Sequence, residues 1–178
     1  PFSKNRDGFV LSEGAGYLLL AKESTAIEYN YPCYAEILGY ATSSDATHLT
    51  RPNMERQAEC IRNALEDAKI GPGDVDYINA HGTSTLINDI VETKAIKEVF
   101  GELAYKIPVS STKSMIGHTL GASGVLELIA AILCMNSGII HPTINYVPDE
   151  DCDLNYVPNT FITREVNIFL KNSFGFGG

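Results

Sequence analysis

The spacing of apolar residues along the chain predicts three helices. Residues 53–69 and residues 88–100 carry apolar side chains every three or four positions, which places them on one face of a helix. Asn53 is suited to cap the first helix, and the Asn-Asp pair at the start of the second is suited to cap that one. Residues 118–135 are apolar on almost every side after their glycines, so the third helix is expected inside the protein.

Shorter apolar runs between turn residues predict strands. These runs cover residues 9–21, 34–42, 75–80 and 107–110, and two last strands fall within 161–169. The first run contains Gly14-Ala15-Gly16, which predicts a point of close contact with a neighbouring element. Strands that alternate with helices predict an α/β fold with a mostly parallel sheet.

Composition narrows the class of protein. Of 178 residues, 44% are apolar and 20% are charged, which is ordinary for a soluble globular domain. The net charge of −9 argues against binding to nucleic acid or to an anionic membrane surface, because no basic stripe can neutralise phosphates. No uninterrupted apolar run reaches the length of about 18 residues that a membrane span needs, and no secretory signal pattern opens the chain.

The cysteines, the histidines and the chain ends add further expectations. Four cysteines without zinc spacing or a CxxC pair indicate reduced thiols in a cytoplasmic protein. The four histidines are widely separated, which predicts no metal site. The chain opens without an element signal and stops in a glycine-rich turn after an apolar strand, so we expect a fragment.

Two histidines lie in turns rich in glycine and hydroxyl residues. His81 follows a predicted strand and precedes a helix, a position where open α/β sheets place their ligands. His118 lies five residues after Lys113, which directly follows another predicted strand. The alternative for each is a histidine that satisfies its turn, with the neighbouring hydroxyls as caps. Together the two histidines predict a functional site.

A buried ion pair is expected beside these histidines. Lys113 follows a strand and is drawn inward, and a buried lysine is costly unless it is paired. Glu127 lies on the apolar helix and needs a counter-charge as well, so it is the natural partner. The alternative is an ion pair with no chemical role. No cysteine qualifies as a nucleophile, because Cys60 and Cys134 lie on helices, Cys33 lacks an activating neighbour and Cys152 is surrounded by acidic residues.

Short motifs carry a family resemblance. In chain order they are RDGFV (6–10), EGAG (13–16), DATH (45–48), HGTST (81–85), KSMIGH (113–118), GASG (121–124), HPTIN (141–145) and NSFGFGG (172–178). This series resembles the C-terminal half of a β-ketoacyl-acyl carrier protein synthase, and it is most similar to the bacterial elongating enzymes of the synthase II type. The resemblance implies one domain over residues 1–178, with a thiolase-like α/β fold in which this chain supplies the C-terminal αβαβαββ half of five αβαβα layers.

The resemblance also implies roles for individual residues. The nucleophilic cysteine would lie in an N-terminal half that this chain lacks. His81 and His118 would donate hydrogen bonds to the thioester carbonyl of malonyl-acyl carrier protein and stabilise the enolate formed on loss of CO₂. The backbone N–H of Phe176 would complete an oxyanion hole, and its ring would gate the acyl pocket. The remaining implied roles are ordering of the site by Lys113 and Glu127, pantetheine binding by Thr83 and Thr85, substrate binding by Gly175, and support by Asp89 and Glu92.

Two positions depart from the family pattern. Leu86-Ile87 follows Thr85 where relatives usually have proline and a small or polar residue. Lys171 stands where relatives often have a small hydroxyl residue. Some relatives hold a buried monovalent cation nearby, so Lys171 puts that cation in doubt.

The function expected from this resemblance is decarboxylating condensation in fatty acid elongation. It implies acyl carrier protein as partner, a homodimer of the full-length protein and no cofactor, since the substrates are carried on phosphopantetheine. The fragment alone is expected to be inactive. Two alternatives stay open, a non-catalytic partner subunit that shapes chain length and a synthase specialised for a polyketide or polyene. A degradative thiolase is disfavoured, because this chain has Asn172-Ser173-Phe174 where thiolases have a second cysteine.

Overall fold

The computed structural model describes residues 1–178. The helices are α1 (Glu23–Glu28), α2 (Met54–Ala68), α3 (Asn88–Phe100), α4 (Lys113–Ile116) and α5 (Ser123–Ser137). The strands are β1 (Tyr77–Asn79), β2 (Val109–Ser110), β3 (Ile139–Ile140), β4 (Ile162–Thr163) and β5 (Phe169–Lys171). Three 3₁₀ turns cover Pro72–Asp74, Gly101–Tyr105 and Leu120–Ala122. The three predicted helices are all present, whereas α1, α4 and β3 are elements that the pattern of the sequence does not predict.

A parallel sheet at the centre of the fold has the strand order β2-β1-β5. Asn79, the last residue of β1, is in register with Ser110 of β2 and with Lys171 of β5. All three strands therefore end at the same edge of the sheet, which confirms the predicted parallel arrangement. A separate antiparallel pair joins β3 to β4.

The main hydrophobic core lies between this sheet and the helix pair α2 and α3. Ile61 of α2, Ile78 of β1 and Ile96 of α3 are buried in one cluster. The Oδ1 atom of Asn53 caps α2 by accepting a hydrogen bond from the backbone N–H of Arg56 at 3.2 Å. The predicted cap residue is confirmed, and α2 is held against the core by its apolar face.

Helix α5 is less buried than its composition predicts. Within this chain its fully buried positions form a single line, Ser123, Glu127, Ala131 and Cys134, and Leu133 is exposed. Together with the preceding 3₁₀ turn it forms the apolar stretch Leu120–Ser137, of which only 22% is buried. By length and composition alone this stretch could cross a bilayer, although core helices of globular proteins meet the same criterion. The predicted full enclosure of α5 is wrong for this chain by itself.

The predicted strands over residues 9–21 and 34–42 are also wrong for this chain. The first segment makes one isolated bridge, between Leu11 and His118, and then continues as irregular chain. The second makes no ladder, and the backbone N–H of Tyr40 donates instead to the Asp67 carboxylate at 3.0 Å. A strand needs a neighbour for its backbone hydrogen bonds along its length; residues 9–21 have one only at Leu11, and residues 34–42 have none. The predicted close contact at Gly14 is confirmed, because a Cβ there would lie 2.7 Å from Leu126 of α5.

Candidate active site

His81 lies at the carboxyl edge of the parallel sheet, two residues after β1 ends. Its turn is fixed by Glu92, a fully buried residue of α3. One oxygen of the Glu92 carboxylate accepts the backbone N–H of His81 and the other accepts that of Gly82, both at 2.8 Å. Asn172, which follows β5, donates its side-chain amide to the same carboxylate at 3.2 Å. A helix and a strand thus hold the backbone of the first histidine.

Asp89 fixes the next part of the turn. Its carboxylate accepts the backbone N–H groups of Thr83 and Ser84, each at 3.1 Å, and that of Phe2 at 2.6 Å. The predicted capping of α3 by Asp89 is wrong, since the cap position is Ile87 and makes no side-chain hydrogen bond. The two acidic residues in the first half of α3 hold the backbone of the preceding loop instead, and their supporting role in the reaction stays a prediction.

Gly82 permits this turn to pass close to its neighbours. Its φ of +38° lies in the left-handed region that favours glycine. A Cβ at this position would lie 2.7 Å from the ring of Phe2 and from the Cβ of Ser111. The loop can approach β2 this closely only without a side chain at residue 82.

Lys113 joins the first histidine to helix α5. Its ammonium donates to the backbone oxygen of His81 at 2.6 Å and lies 3.2 Å from Nδ1 of the same residue. It also forms an ion pair with Oε1 of Glu127. Both side chains are almost fully buried. The predicted ion pair between Lys113 and Glu127 is confirmed, and its contact with His81 shows that the pair lies inside the site.

A second ammonium approaches the other oxygen of the same carboxylate. Nζ of Lys171 lies 3.0 Å from Oε2 of Glu127, and the Lys171 side chain is 12% exposed. Sequence reasoning assigned Lys171 no ion pair. The available signal was its place at the end of an apolar strand, where an unpaired charge is costly.

His118 is positioned by its own turn after α4. Its backbone N–H donates to Val10 at 2.7 Å, and its Nδ1 accepts the backbone N–H of Leu120 at 3.2 Å. The hydroxyl of Ser123 lies 2.9 Å from the same Nδ1. The His118 and His81 rings meet edge to face, with their centroids 5.7 Å apart. The structure therefore brings together the two histidines that the sequence singled out.

Burial and neighbouring charge keep both histidines neutral. Burial is the largest cause that lowers the pKa of His81 well below its ordinary value, and the ammonium groups of Lys113 and Lys171 lower it further. Burial also lowers the pKa of His118, and Lys113 contributes in the same direction. An imidazole whose pKa is lowered in this way is uncharged at neutral pH.

The partners of Nδ1 determine what each neutral ring can do. In His118 the Nδ1 atom accepts a backbone N–H, so its proton lies on Nε2. In His81 the Nδ1 atom faces the Lys113 ammonium, which has only protons to offer, so its proton also lies on Nε2. Neither Nε2 atom has a hydrogen-bond partner in the chain. Two adjacent N–H donors are thus available to one bound oxygen.

A polar cleft of about 360 Å³ opens beside His118. Thr83 and Lys113 contribute to its lining, together with Arg6 near the start of the chain. The hydroxyls of Thr83 and Thr85 lie 2.9 Å apart, so the two predicted substrate-binding threonines act as a pair. A larger apolar cleft of about 490 Å³ lies elsewhere, between residues 35–42, α2 and β5, and neither histidine lines it.

The predicted residues of the C-terminal turn lie apart from the histidines in this chain. The Phe176 ring is 77% exposed, and the turn that holds Gly175 and Phe176 is tied to residues 45–49 through hydrogen bonds of Gly177. The aromatic ring that contacts His81 belongs instead to Phe174, with centroids 5.9 Å apart. The roles of Gly175 and Phe176 stay predictions, and Phe174 is a neighbour of the site that sequence reasoning missed.

The cysteines have the character of unreactive thiols. Burial raises the pKa of Cys134, and it raises the pKa of Cys152 to about 11. For Cys152 burial outweighs the acidic neighbours that the sequence suggested as the cause. Cys33 is exposed and Cys60 donates weakly to the backbone of Ala41.

The sequence of the chain matches a known protein family. Residues 34–147 match the family described as "Beta-ketoacyl synthase, C-terminal domain". The chain belongs to this family. The predicted family and the predicted thiolase-like fold class are therefore confirmed.

Curated relatives are similar in sequence over the whole length of this chain. It is 50% identical to "3-oxoacyl-[acyl-carrier-protein] synthase 2" of Coxiella burnetii and 48% identical to the protein of the same name from Synechocystis. Each alignment covers 100% of this chain and 44% of the relative. The chain thus spans less than half the length of these β-ketoacyl synthases.

Solved structures of ketosynthases have the same fold as this chain. A ketosynthase complex described as a type II PKS acyl-carrier protein with its ketosynthase bound to the hexaketide gives a TM-score of 0.96 at 47% identity. It is covered to 44%, and this chain to 100%. A β-ketoacyl synthase from Burkholderia phymatum gives a TM-score of 0.90 at 36% identity, with 100% of this chain and 43% of that structure covered.

Proposed function

We propose that this chain is the C-terminal part of a decarboxylating 3-oxoacyl-acyl carrier protein synthase that elongates acyl chains with malonyl units in cytoplasmic fatty acid synthesis. The observation that carries the proposal is the pair of neutral histidines, each with Nδ1 occupied and Nε2–H available. The names of the curated relatives support the same reaction.

Two neutral N–H donors suit the enolate of this reaction. When the malonyl thioester loses CO₂, the electron pair of the broken C–C bond becomes an enolate, whose negative charge lies largely on the thioester oxygen. His81 and His118 donate to that oxygen and stabilise its charge without giving up a proton. The carbanion form then attacks the acyl thioester and displaces the thiolate that carried it.

The other site residues place these donors. Lys113 fixes the ring of His81 and holds its backbone oxygen, while Glu127 fixes Lys113. Thr83, which lines the cleft, and Thr85, whose hydroxyl lies 2.9 Å from that of Thr83, bind the pantetheine arm. The nucleophilic cysteine comes from the part of the protein outside this chain, and the backbone N–H of Phe176 assists its acyl thioester. Gly175, in the same turn, takes part in substrate binding. Acyl carrier protein delivers both substrates, and the full-length protein forms a homodimer.

Substitution of His118 tests the donor role in the full-length protein. His118→Ala removes one N–H donor and is expected to slow malonyl decarboxylation by about 10²–10³-fold. His118→Gln keeps a neutral N–H donor near the position of Nε2. It is therefore expected to recover most of the activity that His118→Ala loses. The measurement is release of labelled CO₂ from malonyl-acyl carrier protein. A Gln variant as slow as the Ala variant contradicts donation by a neutral side chain and favours proton transfer.

A synthase of polyketide or polyene assembly is the second candidate. The type II PKS ketosynthase and the ishigamide ketosynthase/chain length factor, at 47% and 42% identity, favour it. The length and saturation of the products made with purified carrier proteins distinguish it from fatty acid elongation. A non-catalytic chain-length partner would release no CO₂ even with an intact His81 and His118.

A further inference from the structure

Glu127 lies between two ammonium groups. Oε1 faces Nζ of Lys113, and Oε2 faces Nζ of Lys171 at 3.0 Å. The side chain of Glu127 is 1% exposed, and those of Lys113 and Lys171 are 3% and 12% exposed. Two buried positive charges thus share one buried negative charge, so loss of either lysine would leave one oxygen of the Glu127 carboxylate without its ammonium partner.

Lys171 is held rigidly relative to the first histidine. It is the last residue of β5 and is in register with Asn79 of β1, two residues before His81. Its ammonium also contacts the hydroxyl of Ser173. The position of this charge is therefore fixed by the parallel sheet and not by a mobile loop.

The residues here do not suit a monovalent metal cation next to Glu127. Such an ion needs carboxylate or carbonyl oxygens that no other cation occupies. Both oxygens of Glu127 already face ammonium groups, and the local sum of the three charges is positive. A further cation at Oε2 would compete with Lys171 for the same oxygen and would be repelled by both ammonium groups.

We propose that Lys171 is a built-in counter-cation, which takes the place of the monovalent cation held by some relatives and makes the protein independent of added K⁺ or Na⁺. Through Glu127 it keeps Lys113 in contact with His81, so it is a positioning residue for the histidine pair. The part of the proposal that concerns His81 rests on the proposed function, whereas the part that concerns Glu127 does not.

Thermal unfolding of the full-length protein in different salts tests the counter-cation directly. The wild-type midpoint is expected to be the same in KCl, NaCl and choline chloride at equal ionic strength. Lys171→Ser removes the ammonium and opens space, so its midpoint falls in choline chloride and rises again with the concentration of K⁺ or Na⁺, as linked binding requires. A cation-specific rise in the wild type, or a Lys171→Ser midpoint that is equal in all three salts, overturns the proposal.

Two further variants keep the test decisive. Lys97→Ser is the matched control, because Lys97 pairs with Asp153 at a half-exposed site on α3, and it should show no preference among the salts. Lys171→Met removes the charge but fills the space, so its midpoint should fall equally in every salt. A Lys171→Met protein as stable as the wild type overturns the proposal even if Lys171→Ser does not fold.

Measurements of malonyl decarboxylation distinguish a failure of the counter-cation role from a failure of the proposed function. Malonyl decarboxylation by Lys171→Ser is expected to fall at least ten-fold in choline chloride, mainly in kcat, and to recover in KCl. Absence of decarboxylation by the wild type would refute the proposed function but would leave the unfolding experiment valid. A decarboxylation rate of Lys171→Ser that is the same in choline chloride and in KCl would refute the positioning role.

Discussion

At the scale of single residues, the site depends on what occupies the nitrogen that faces away from the substrate. Lys113 occupies Nδ1 of His81 and the backbone occupies Nδ1 of His118. Each contact fixes the tautomer and leaves Nε2–H as the donor. The chemistry of the pair is therefore decided by residues that need not touch the substrate.

Removal of the Lys113 charge should change the pH dependence of decarboxylation. The neutral rings are present above their pKa in the folded protein, and activity is lost as the pH falls through it. Lys113 lowers the pKa of both histidines, so Lys113→Met should raise both and move the acidic limb of the rate profile to higher pH. The measurement is kcat against pH for the full-length protein. Lys94→Met, which changes an exposed lysine of α3, should leave the limb in place, and an unmoved limb in Lys113→Met would contradict the electrostatic role.

The sequence identified four central site residues, but not all of their partners. His81 and His118 stand out because glycine-rich turns surround them, and Lys113 and Glu127 stand out because charges are rare in apolar surroundings. Lys171 reaches Glu127 across 44 positions of the chain, a distance over which periodicity carries no information. Such contacts depend on strand register, which is set by the whole sheet.

At the scale of elements, α3 holds the loop that precedes it. Asp89 and Glu92 accept five backbone N–H groups between them, and four of these belong to residues 81–84. A carboxylate suits this task because both of its oxygens accept and neither donates. The helix and the loop therefore behave as one unit, and the position of His81 follows that of α3.

Glu92→Gln should destabilise the protein through this loop. The amide has one accepting oxygen, so one buried N–H of His81 or Gly82 loses its partner, at a cost of about 1–3 kcal/mol in the free energy of unfolding. Glu98→Gln is the control on the same helix, because its ion pair with Arg62 is half exposed and contributes no more than about 1 kcal/mol. Urea denaturation of the full-length protein measures both. Equal losses in the two variants would contradict the specific role of Glu92.

The three long helices and the strands of the parallel sheet were predictable from the sequence, whereas the strands predicted for residues 9–21 and 34–42 do not form. Helices α2 and α3 pack against each other and satisfy their own backbone groups, so their periodicity predicts them well. Residues 9–21 and 34–42 have the apolar character of strands, but a strand exists only with a paired neighbour. The helix α4 has only four residues, and its sequence does not distinguish it from an irregular turn.

At the scale of the whole molecule, several large apolar side chains are exposed. Tyr17 and Leu19 in the first segment, Tyr40 in the second and Leu133 on α5 are all more than half exposed. Exposed apolar side chains of this size are common where a protein surface is covered by another part of an assembly. The curated relatives are more than twice as long, and we propose that their additional residues cover these side chains.

The isolated chain should therefore lack condensing activity. Burial raises the pKa of Cys134 and Cys152, and neither Cys33 nor Cys60 follows the strand-to-turn pattern of an activated nucleophile, so we expect no acyl-enzyme on this chain. Incubation of the 178-residue chain with acyl- and malonyl-acyl carrier protein measures this, with the full-length protein as the positive control. Formation of a β-ketoacyl product by the isolated chain would refute the assignment of the nucleophile to the rest of the protein.

The late position of β5 has a consequence for synthesis on the ribosome. β5 lies beside β1 in the sheet, although about 90 residues separate them along the chain. Until residues 169–172 leave the exit tunnel, Glu127 lacks its second ammonium and Glu92 lacks the Asn172 amide. The nascent polypeptide can form its early helices, but the histidine pair acquires its final surroundings only after translation of these residues. Premature termination before β5 would leave each of the two carboxylates short of one partner.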